Sequence, residues 1–363
     1  MHKILSRTFA LLALVAVLPT AAFASASRIS GMNVPGDYVK DYTGIHTYVS
    51  GVSSVGNLIW VNPSDNQGMG AVLQNLFGGR FGTFAVNINN DAMGLGRSTA
   101  GDVQTTAGES IDLTWGRKMG SGSFGVRVNR SYSSLETAAG TTEGLYGRNI
   151  MGFGAGYGWS MNANTDVELS ALYQNRSFKT ATATENGGVA YQVAGRAMTK
   201  AGSGLNLTTA VKISSFDMST ETVPGGVVTT NKTTGWSAGM AGNWTLGSND
   251  LFVFGAEFNN SQNDNGTAKA KVSLMPAVFM GLETGVNSWL TLRFGASNTV
   301  TARGENFVGD VVKTDTFSFN TGAGVKVGTL QFDATVTPSF YNGAVNNVLN
   351  GNPFANVSAT YTF

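Results

Sequence analysis

Long runs of alternating apolar and polar residues constrain this chain more than any other feature of its sequence. Alternation is clear in the runs 205–215, 288–297 and 331–341. Successive side chains of a β-strand point to opposite faces, so each run predicts a strand with one apolar and one polar surface. The runs reach ten residues or more, whereas strands of soluble proteins usually have five or six. About ten alternating residues is the length that a tilted strand needs to cross a membrane.

The runs and the connections between them predict a barrel. About fourteen runs lie near 81–89, 110–118, 122–132, 146–159, 165–178, 189–199, 204–217, 232–245, 250–259, 268–281, 288–299, 314–327, 329–341 and 355–363. The connections alternate between short ones and long ones, which is typical of bacterial transmembrane β-barrels. We therefore predict an all-β fold, a transmembrane antiparallel up-and-down β-barrel of about 14 strands, with 12 to 16 compatible. A secreted β-sandwich also alternates, but it explains neither the strand length nor the paired connections.

Composition excludes several other classes of protein. The chain has 363 residues, a formal net charge of +1 and 12% charged residues, about half of the usual share in a soluble domain. It has no cysteine, which excludes a disulfide scaffold and a thiolate metal site. A near-neutral chain lacks the basic patch of a nucleic-acid-binding protein, and we expect no nucleic-acid partner.

The N-terminus predicts export. Lys3 and Arg7 precede an apolar run of ten residues, and small residues follow at the spacing of a cleavage site. This arrangement is typical of a secretory signal peptide, and the apolar run is too short to span a bilayer. We assign residues 1–24 to the signal peptide, and cleavage after Ala24 or after Ala26 fits the pattern.

The last strand resembles the terminal β-signal of outer-membrane proteins. Val357, Ala359, Tyr361 and Phe363 form an apolar stripe that ends on a C-terminal aromatic residue. Together with the long strands and the export signal, this stripe is similar to that of Gram-negative outer-membrane β-barrels, among them the porins. The resemblance implies a location in the outer-membrane lipid and recognition of the last strand by the barrel-assembly machinery.

The segment 25–80 does not alternate cleanly, so we place it before the barrel, which would then comprise residues 81–363. Short strands at 45–49 and 58–61 would raise the count to sixteen, and 70–77 has apolar residues at helical spacing. Such a segment is expected either in the periplasm or inside the barrel as a plug. Fourteen strands behind a plug, with Trp60-Val61-Asn62-Pro63, resemble the FadL-type transporters of hydrophobic molecules, although Ser64 replaces the alanine of that family's stretch.

Two irregularities fall inside the predicted strands. Alternate glycines at 152–158 predict a bend in the wall or a neighbour that approaches closely. Pro276 and Pro338 cannot donate to a strand ladder, so they predict bulges or strand ends.

The sequence offers little for catalysis. His46 is the only histidine after the predicted signal peptide, and it precedes the predicted barrel. A Ser-His-Asp arrangement through His46 is an alternative, but we interpret His46 as a polar residue of a periplasmic or plug segment and predict no enzyme activity. Without thiols or a second histidine in the mature chain, we predict no metal site and no cofactor.

The polar faces of the strands predict the lining of the lumen, because a cation on the lipid face costs about 2–4 kcal/mol at the membrane midplane. The expected inward residues are Asp112, Lys118, Arg127, Asp166, Glu168, Arg176, Gln192, Arg196, Lys212, Lys271, Arg293, Lys326 and Asp333. Both signs occur, which predicts a field across the lumen, unless the charges pair with one another.

Three functions are compatible with these observations. A barrel of this width cannot be filled by wall side chains alone, which favours a pore or transporter that gives passive passage to small solutes. The alternatives are a barrel that anchors surface or adhesion loops, and a FadL-like transporter of hydrophobic molecules. Solute identity and oligomeric state do not follow from the sequence.

Overall fold

The computed structural model is a closed antiparallel barrel of 16 strands, in which β1 pairs with β16. Each other pair joins strands that follow one another in the chain, so the barrel is of the up-and-down type. The structure describes residues 25–63, 68–74, 76–89, 109–135, 146–179, 183–222, 228–247, 249–305, 308–309, 311–336 and 354–363. The predicted signal peptide lies outside these residues, as does Pro338.

The strands differ greatly in length around the barrel. Their bounds are β1 Leu58–Asn62, β2 Gly68–Leu73, β3 Thr83–Asn89, β4 Glu109–Met119, β5 Gly122–Leu135, β6 Tyr146–Asn162, β7 Thr165–Lys179, β8 Ala183–Gly202, β9 Leu205–Thr222, β10 Val228–Leu246, β11 Asp250–Asp264, β12 Lys269–Gly285, β13 Leu290–Glu305, β14 Val311–Val327, β15 Leu330–Val336 and β16 Phe354–Thr362. β4 to β14 have 11 to 20 residues each, which is enough to cross a bilayer.

The two faces of the wall match the alternation of the sequence. On β9, Thr208 is buried towards the interior while Val211 and Ile213 are exposed on the outside. On β15, Asp333 is buried and Phe332 is exposed. The prediction of two-faced strands is thus confirmed.

The described residues before β1 lie inside the barrel. Residues 25–57, which we call the plug, form one short α-helix and three 3₁₀ helices: α1 Ala26–Met32, η1 Gly36–Tyr38, η2 Tyr42–His46 and η3 Val49–Ser54. Ser25 caps α1 by accepting a hydrogen bond from the Arg28 amide, and Asn33 ends it in the left-handed conformation at φ 50°. The strand predicted at 45–49 is wrong, because η2 and the start of η3 occupy it.

Two strands precede the predicted start of the barrel. The wall begins at β1, so the boundary that we placed at residue 80 moves to residue 57. The helical interpretation of 70–77 is also wrong: β2 covers its first part, and a 3₁₀ helix, η4, spans Leu76–Gly79. Gly70 pairs with Trp60 across the β1–β2 hairpin, and a Cβ at residue 70 would lie 2.2 Å from the Trp60 ring. This close packing of the indole on glycine favours the hairpin over a short helix.

The proline and glycine irregularities have structural roles. Pro276 lies where the register between β11 and β12 shifts, so the bulge predicted there is confirmed. The alternate glycines of β6 admit a close neighbour: an added Cβ would lie 3.0 Å from the Ser50 amide at Gly156 and 3.1 Å from the Ser50 hydroxyl at Gly158. The neighbour is the plug.

The C-terminal strand closes the barrel against β1. Thr362 pairs with Leu58, and the Phe363 amide donates to the Asn57 carbonyl, where the plug meets the wall. Tyr361 and Phe363 stack at 5.9 Å, and both are exposed on the outside. Recognition of this stripe by an assembly machinery stays a prediction.

Candidate functional site

The plug contacts the inner wall around most of its circumference through three apolar clusters. The first joins α1 and η1 to β9–β12, the second joins η2 and η3 to β1–β3, and the third joins η3 to β7–β9. Their buried members are Met32, Val34, Tyr38, Val39, Ala210, Ala241, Val253 and Phe279; Tyr42, Ile45, Val52, Leu58, Trp60, Val72 and Ala85; and Val49, Leu172, Ala190 and Phe216. The plug is thus packed against the wall as a domain core is packed.

Inward-facing glycines let the plug backbone approach the wall. A Cβ at Gly295 would lie 1.7 Å from the Met32 carbonyl oxygen, and one at Gly125 would lie 2.4 Å from the Val49 carbonyl oxygen. No real Cβ tolerates such distances, so the wall needs glycine here.

A four-charge cluster holds the first turn of the plug. Arg28 binds both oxygens of Glu283 at 2.6 and 2.7 Å. Arg293 donates to the same Glu283 at 2.6 Å and to Asp333 at 2.7 Å, and the Ser25 hydroxyl donates to Asp333 at 2.8 Å. Two guanidinium groups face two carboxylates, so the cluster is neutral and its buried charges are compensated.

Two further ion pairs of the wall face the middle of the plug. Arg127 pairs with Asp112 at 2.7 Å and also donates to the His46 carbonyl oxygen at 2.8 Å. Arg196 pairs with Glu168 at 2.5 Å, and its guanidinium carbon lies 4.0 Å from the centre of the Tyr48 ring. In each pair the guanidinium reaches beyond its carboxylate to a group of the plug.

The predicted lumen residues fall into two groups. Those that reach the plug or lie buried on the inner face are Asp112, Arg127, Glu168, Arg176, Arg196, Lys212, Arg293 and Asp333, with Gln192 partly buried on the same face of β8. Lys118, Asp166 and Lys326 lie beside the short turns at one rim, and Lys271 lies near the opposite end of β12. Most of the buried charges form local ion pairs. The arrangement is therefore the paired alternative, and not charges of opposite sign separated across the lumen.

A partly open cavity of about 300 Å³ lies between the plug and β11–β14. It is lined by Ile29, Ser30, Asn33, Val34, Pro35, Glu257, Ala277, Phe279, Ser297 and Asn320. Glu257 and Ser297 each lie seven residues from the short-turn ends of their strands at Asp250 and Leu290. Glu283, Arg293 and Asp333 lie only two or three residues from those ends. The cavity is therefore on the long-loop side of the charged cluster.

Sequence reasoning missed the residues that shape this cavity. Glu257 was not selected, although Phe254 and Phe258 are exposed on the outside and alternation then places Glu257 inside. The Tyr38 hydroxyl donates to it at 2.8 Å. Tyr38 and Asn33 belong to the plug, where no strand pattern indicates which side chains meet the wall.

His46 does not assemble a catalytic triad within the described part of the chain, where its imidazole makes no hydrogen bond or ion pair. The burial of its ring and the nearby Arg127 guanidinium lower the pKa of His46 to about 4, against a smaller opposite effect of Asp112. The ring is therefore neutral near pH 7. The absence of enzyme activity stays a prediction.

The described residues hold neither a metal-binding cluster nor a membrane-spanning helix. No group of three or more His, Cys, Asp and Glu side chains among them lies close enough together to hold a metal ion. None of the helices in this part of the chain is long and apolar enough to cross a membrane.

Comparison with known proteins yields likenesses of structure only. No protein-family model matches the sequence, and no curated protein matches it. Solved structures that match include the FrpB iron transporter of Neisseria meningitidis (10% identity, TM-score 0.47, 63% of this chain and 44% of that one). Others are FpvA of P. aeruginosa bound to a heterologous pyoverdine (12%, 0.47, 70% and 46%) and the alcaligin outer-membrane receptor FauA of Bordetella pertussis (11%, 0.45, 84% and 55%). The chain spans about half of the length of these proteins.

The resemblance to FadL-type transporters is not confirmed. The barrel has 16 strands, and the stretch that resembled the family begins in strand β1 of the wall, outside the plug.

Proposed function

We propose that the protein is an outer-membrane transporter whose plug, residues 25–57, closes the barrel and must move before a small solute passes. The observation that supports it most is that the plug contacts the inner wall from β3 to β16. Passage is passive in this proposal, because the solute moves down its own gradient once the plug is displaced.

The outer surface supports the location. Large apolar side chains on successive strands point away from the lumen and are exposed, among them Ile111, Leu113, Phe153, Val211 and Phe254. A soluble protein rarely exposes so extensive an apolar surface, whereas the outward band of a membrane barrel requires one. A closed barrel also leaves no strand edge unpaired in lipid.

The width of the barrel supports transport. Eight strands suffice to anchor a protein, and wall side chains alone fill so narrow a barrel, whereas barrels of 16 strands typically enclose a channel. Here a separate N-terminal segment occupies the channel, tethered to the wall at residue 57. Gated passage requires a segment that closes a wide channel and stays attached to its wall when it moves.

The kind of contact supports a plug that moves. Replacing buried ion pairs by apolar residues often leaves a fold equally or more stable. The ion pairs of Arg28 with Glu283 and of Asp37 with Lys212 therefore hold the plug less strongly than apolar contacts in the same places would. They give it a defined position, and both partners regain water when it leaves.

A reversible disulfide tests the proposal. The chain has no cysteine. A Cβ at Gly31 would lie 3.3 Å from the Gly322 Cα, and a Cβ at Gly322 would lie 3.2 Å from the Gly31 Cα. The two backbones are thus in direct contact, so Gly31→Cys with Gly322→Cys places two thiols side by side, and oxidation should tie α1 to β14. We expect proteoliposomes of the oxidised double variant to swell slowly in isotonic arabinose and choline chloride, and a reductant to restore swelling.

The reduced double variant carries the same side-chain strain and is the matched control, together with each single variant. Equal swelling before and after reduction would show that solutes do not pass by way of the plug. No swelling of the reduced protein in either solute would contradict passive transport.

The packed lumen also favours a second function, in which the barrel only anchors loops that act at the cell surface. On that hypothesis the plug is a permanent filling, and no treatment that frees it would affect the surface activity. Most of the long connections at the loop rim lie outside the described residues, so the first function is the one that the described geometry supports best.

A further inference from the structure

We propose that the cavity between the plug and β11–β14 binds a small organic cation, an ammonium compound with an apolar body. The inference rests on the proposed function, since it assigns a solute class to the transporter. It depends on four properties of the cavity: an uncompensated carboxylate, an aromatic ring, amide donors that are already used, and a small volume.

The carboxylate is that of Glu257. Asp112, Glu168, Glu283 and Asp333 on the inner wall each face a guanidinium within 3.5 Å. Glu257 has no cation within 4.0 Å among the described residues, and the neutral hydroxyl of Tyr38 donates a hydrogen bond to it. Glu257 is half-buried, so its carboxylate is partly removed from water, which is costly without a partner. A cation in the cavity would supply the partner that the protein itself supplies elsewhere on this wall.

The aromatic ring is that of Phe279, which is buried and lines the cavity beside Glu257. It packs against the Tyr38 ring at 5.1 Å. A carboxylate beside an aromatic face attracts an ammonium group, since the ring adds a cation–π interaction. Ile29, Val34, Pro35 and Ala277 complete the lining and provide apolar contact for the carbon atoms of a ligand.

The amide donors of the cavity are already used. Asn33 donates to the Ser297 hydroxyl at 3.0 Å and to the Ser318 carbonyl at 3.1 Å. Asn320 donates to the backbone carbonyl of Ser30 at 2.9 Å and to the side-chain amide oxygen of Asn33 at 3.4 Å. An amide has two N–H donors, so both side chains have spent theirs within the protein. Apart from the hydroxyls of Ser30 and Ser297, which accept from Asn356 and Asn33, the polar atoms that the cavity offers are acceptor oxygens. This set suits a cation better than an anion.

The volume limits the ligand. At about 300 Å³, the cavity lies at the lower end of the range for small-molecule sites.

The wall also keeps Tyr38 in position: a Cβ at Gly239 would lie 2.2 Å from the Tyr38 hydroxyl, so glycine is needed there for Tyr38 to reach Glu257.

Titration calorimetry of the full-length mature protein in detergent tests this inference. The probes are choline and its neutral isostere 3,3-dimethyl-1-butanol. We expect saturable binding of choline to the wild type, at least about tenfold tighter than binding of the isostere, because an interaction with a charged partner contributes about 1.5–3 kcal/mol. Glu257→Gln should lower choline affinity to that of the isostere, and Phe279→Leu should lower it several-fold.

Asp264→Asn is the matched control, because Asp264 is a carboxylate at the other end of the same strand and does not line the cavity. It should bind choline like the wild type. Heat-modified migration on gels checks that every variant is a folded barrel. Equal affinity for choline and the isostere, or unchanged choline binding in Glu257→Gln, would overturn the assignment.

The outcome is separable from that of the transport test, since calorimetry needs no solute to cross a membrane. A protein that binds choline but never passes solutes would contradict the proposed function alone. One that passes solutes through a movable plug but does not prefer choline would contradict this inference alone.

Discussion

Gly295→Ala is expected to loosen the plug. A Cβ at residue 295 would lie 1.7 Å from the Met32 carbonyl oxygen. Real Cβ contacts do not fall below 3.0 Å, so the plug backbone must withdraw by about 1.3 Å, the difference between the two distances. That shift exceeds the tolerance of the nearby hydrogen bonds from Asn33 to Ser297 and from Asn320 to the Ser30 carbonyl, at 3.0 and 2.9 Å.

Losing two neutral hydrogen bonds weakens docking by about 2 kcal/mol. This corresponds to about a 30-fold larger undocked fraction. Hydrogen exchange followed by mass spectrometry measures it: the amides of α1 should exchange about 30-fold faster, while those of β8–β10 stay protected. Gly36→Ala is the control, since nothing lies within 4 Å of a Cβ at that plug position. Wild-type protection of α1 in Gly295→Ala would refute the claim that glycines of the wall determine how the plug docks.

Three further predictions concern buried charge, pH and processing. Arg127→Met leaves Asp112 buried without its partner and should lower the free energy of unfolding by about 3–5 kcal/mol, measured in urea; adding Asp112→Leu should restore most of it. The native pKa of His46 is about 4 against about 6.5 when exposed, so only the undocked plug takes up a proton between these values. Docking should therefore weaken by up to about tenfold per pH unit as pH falls from 6.5 to 4, and His46→Gln should remove that dependence of α1 exchange. Of the two cleavage sites, the one after Ala24 is expected, because it leaves Ser25 on the mature chain, where its hydroxyl caps α1 and binds the charged cluster. The intact mass of the protein purified from membranes should correspond to a chain that starts at Ser25. A chain that starts two residues later would contradict this.

The sequence was sufficient to predict the barrel because its two-residue alternation continues over ten or more residues in many strands, as expected of strands that cross a membrane. Lipid on one side and a polar interior on the other require strict alternation over long strands. The faces of β9, β13 and β15 could therefore be assigned from the sequence. β1 and β2 were harder to assign, since five- and six-residue strands carry too few repeats to distinguish them from other local patterns.

The interior of the barrel could be predicted only in part. Alternation places Arg127, Arg196 and Arg293 on the inner face, but it does not say which carboxylate each guanidinium meets. Those partners depend on strand register and on the path of the plug. The path of the plug is set by close contacts such as that of Gly295 with Met32. A glycine in the sequence does not indicate which segment packs against it.

The candidate ligand site could not have been found from the sequence alone. Half of its lining belongs to the plug, including Asn33 and Pro35, and the other half to four different strands. A single inward Glu257 is unremarkable until the structure shows that each buried carboxylate of the described wall pairs with a guanidinium, whereas Glu257 has no cation within 4.0 Å among the described residues.

Single-channel conductance in a planar bilayer tests most directly whether the plug closes the barrel. The comparison is between the mature protein and a variant that lacks residues 25–57 and keeps every strand from β1 onward. Steady, discrete openings of the shortened protein, with rare openings of the full chain, are the result that this account predicts. Equal conductance of the two proteins, or silence of both, would contradict it.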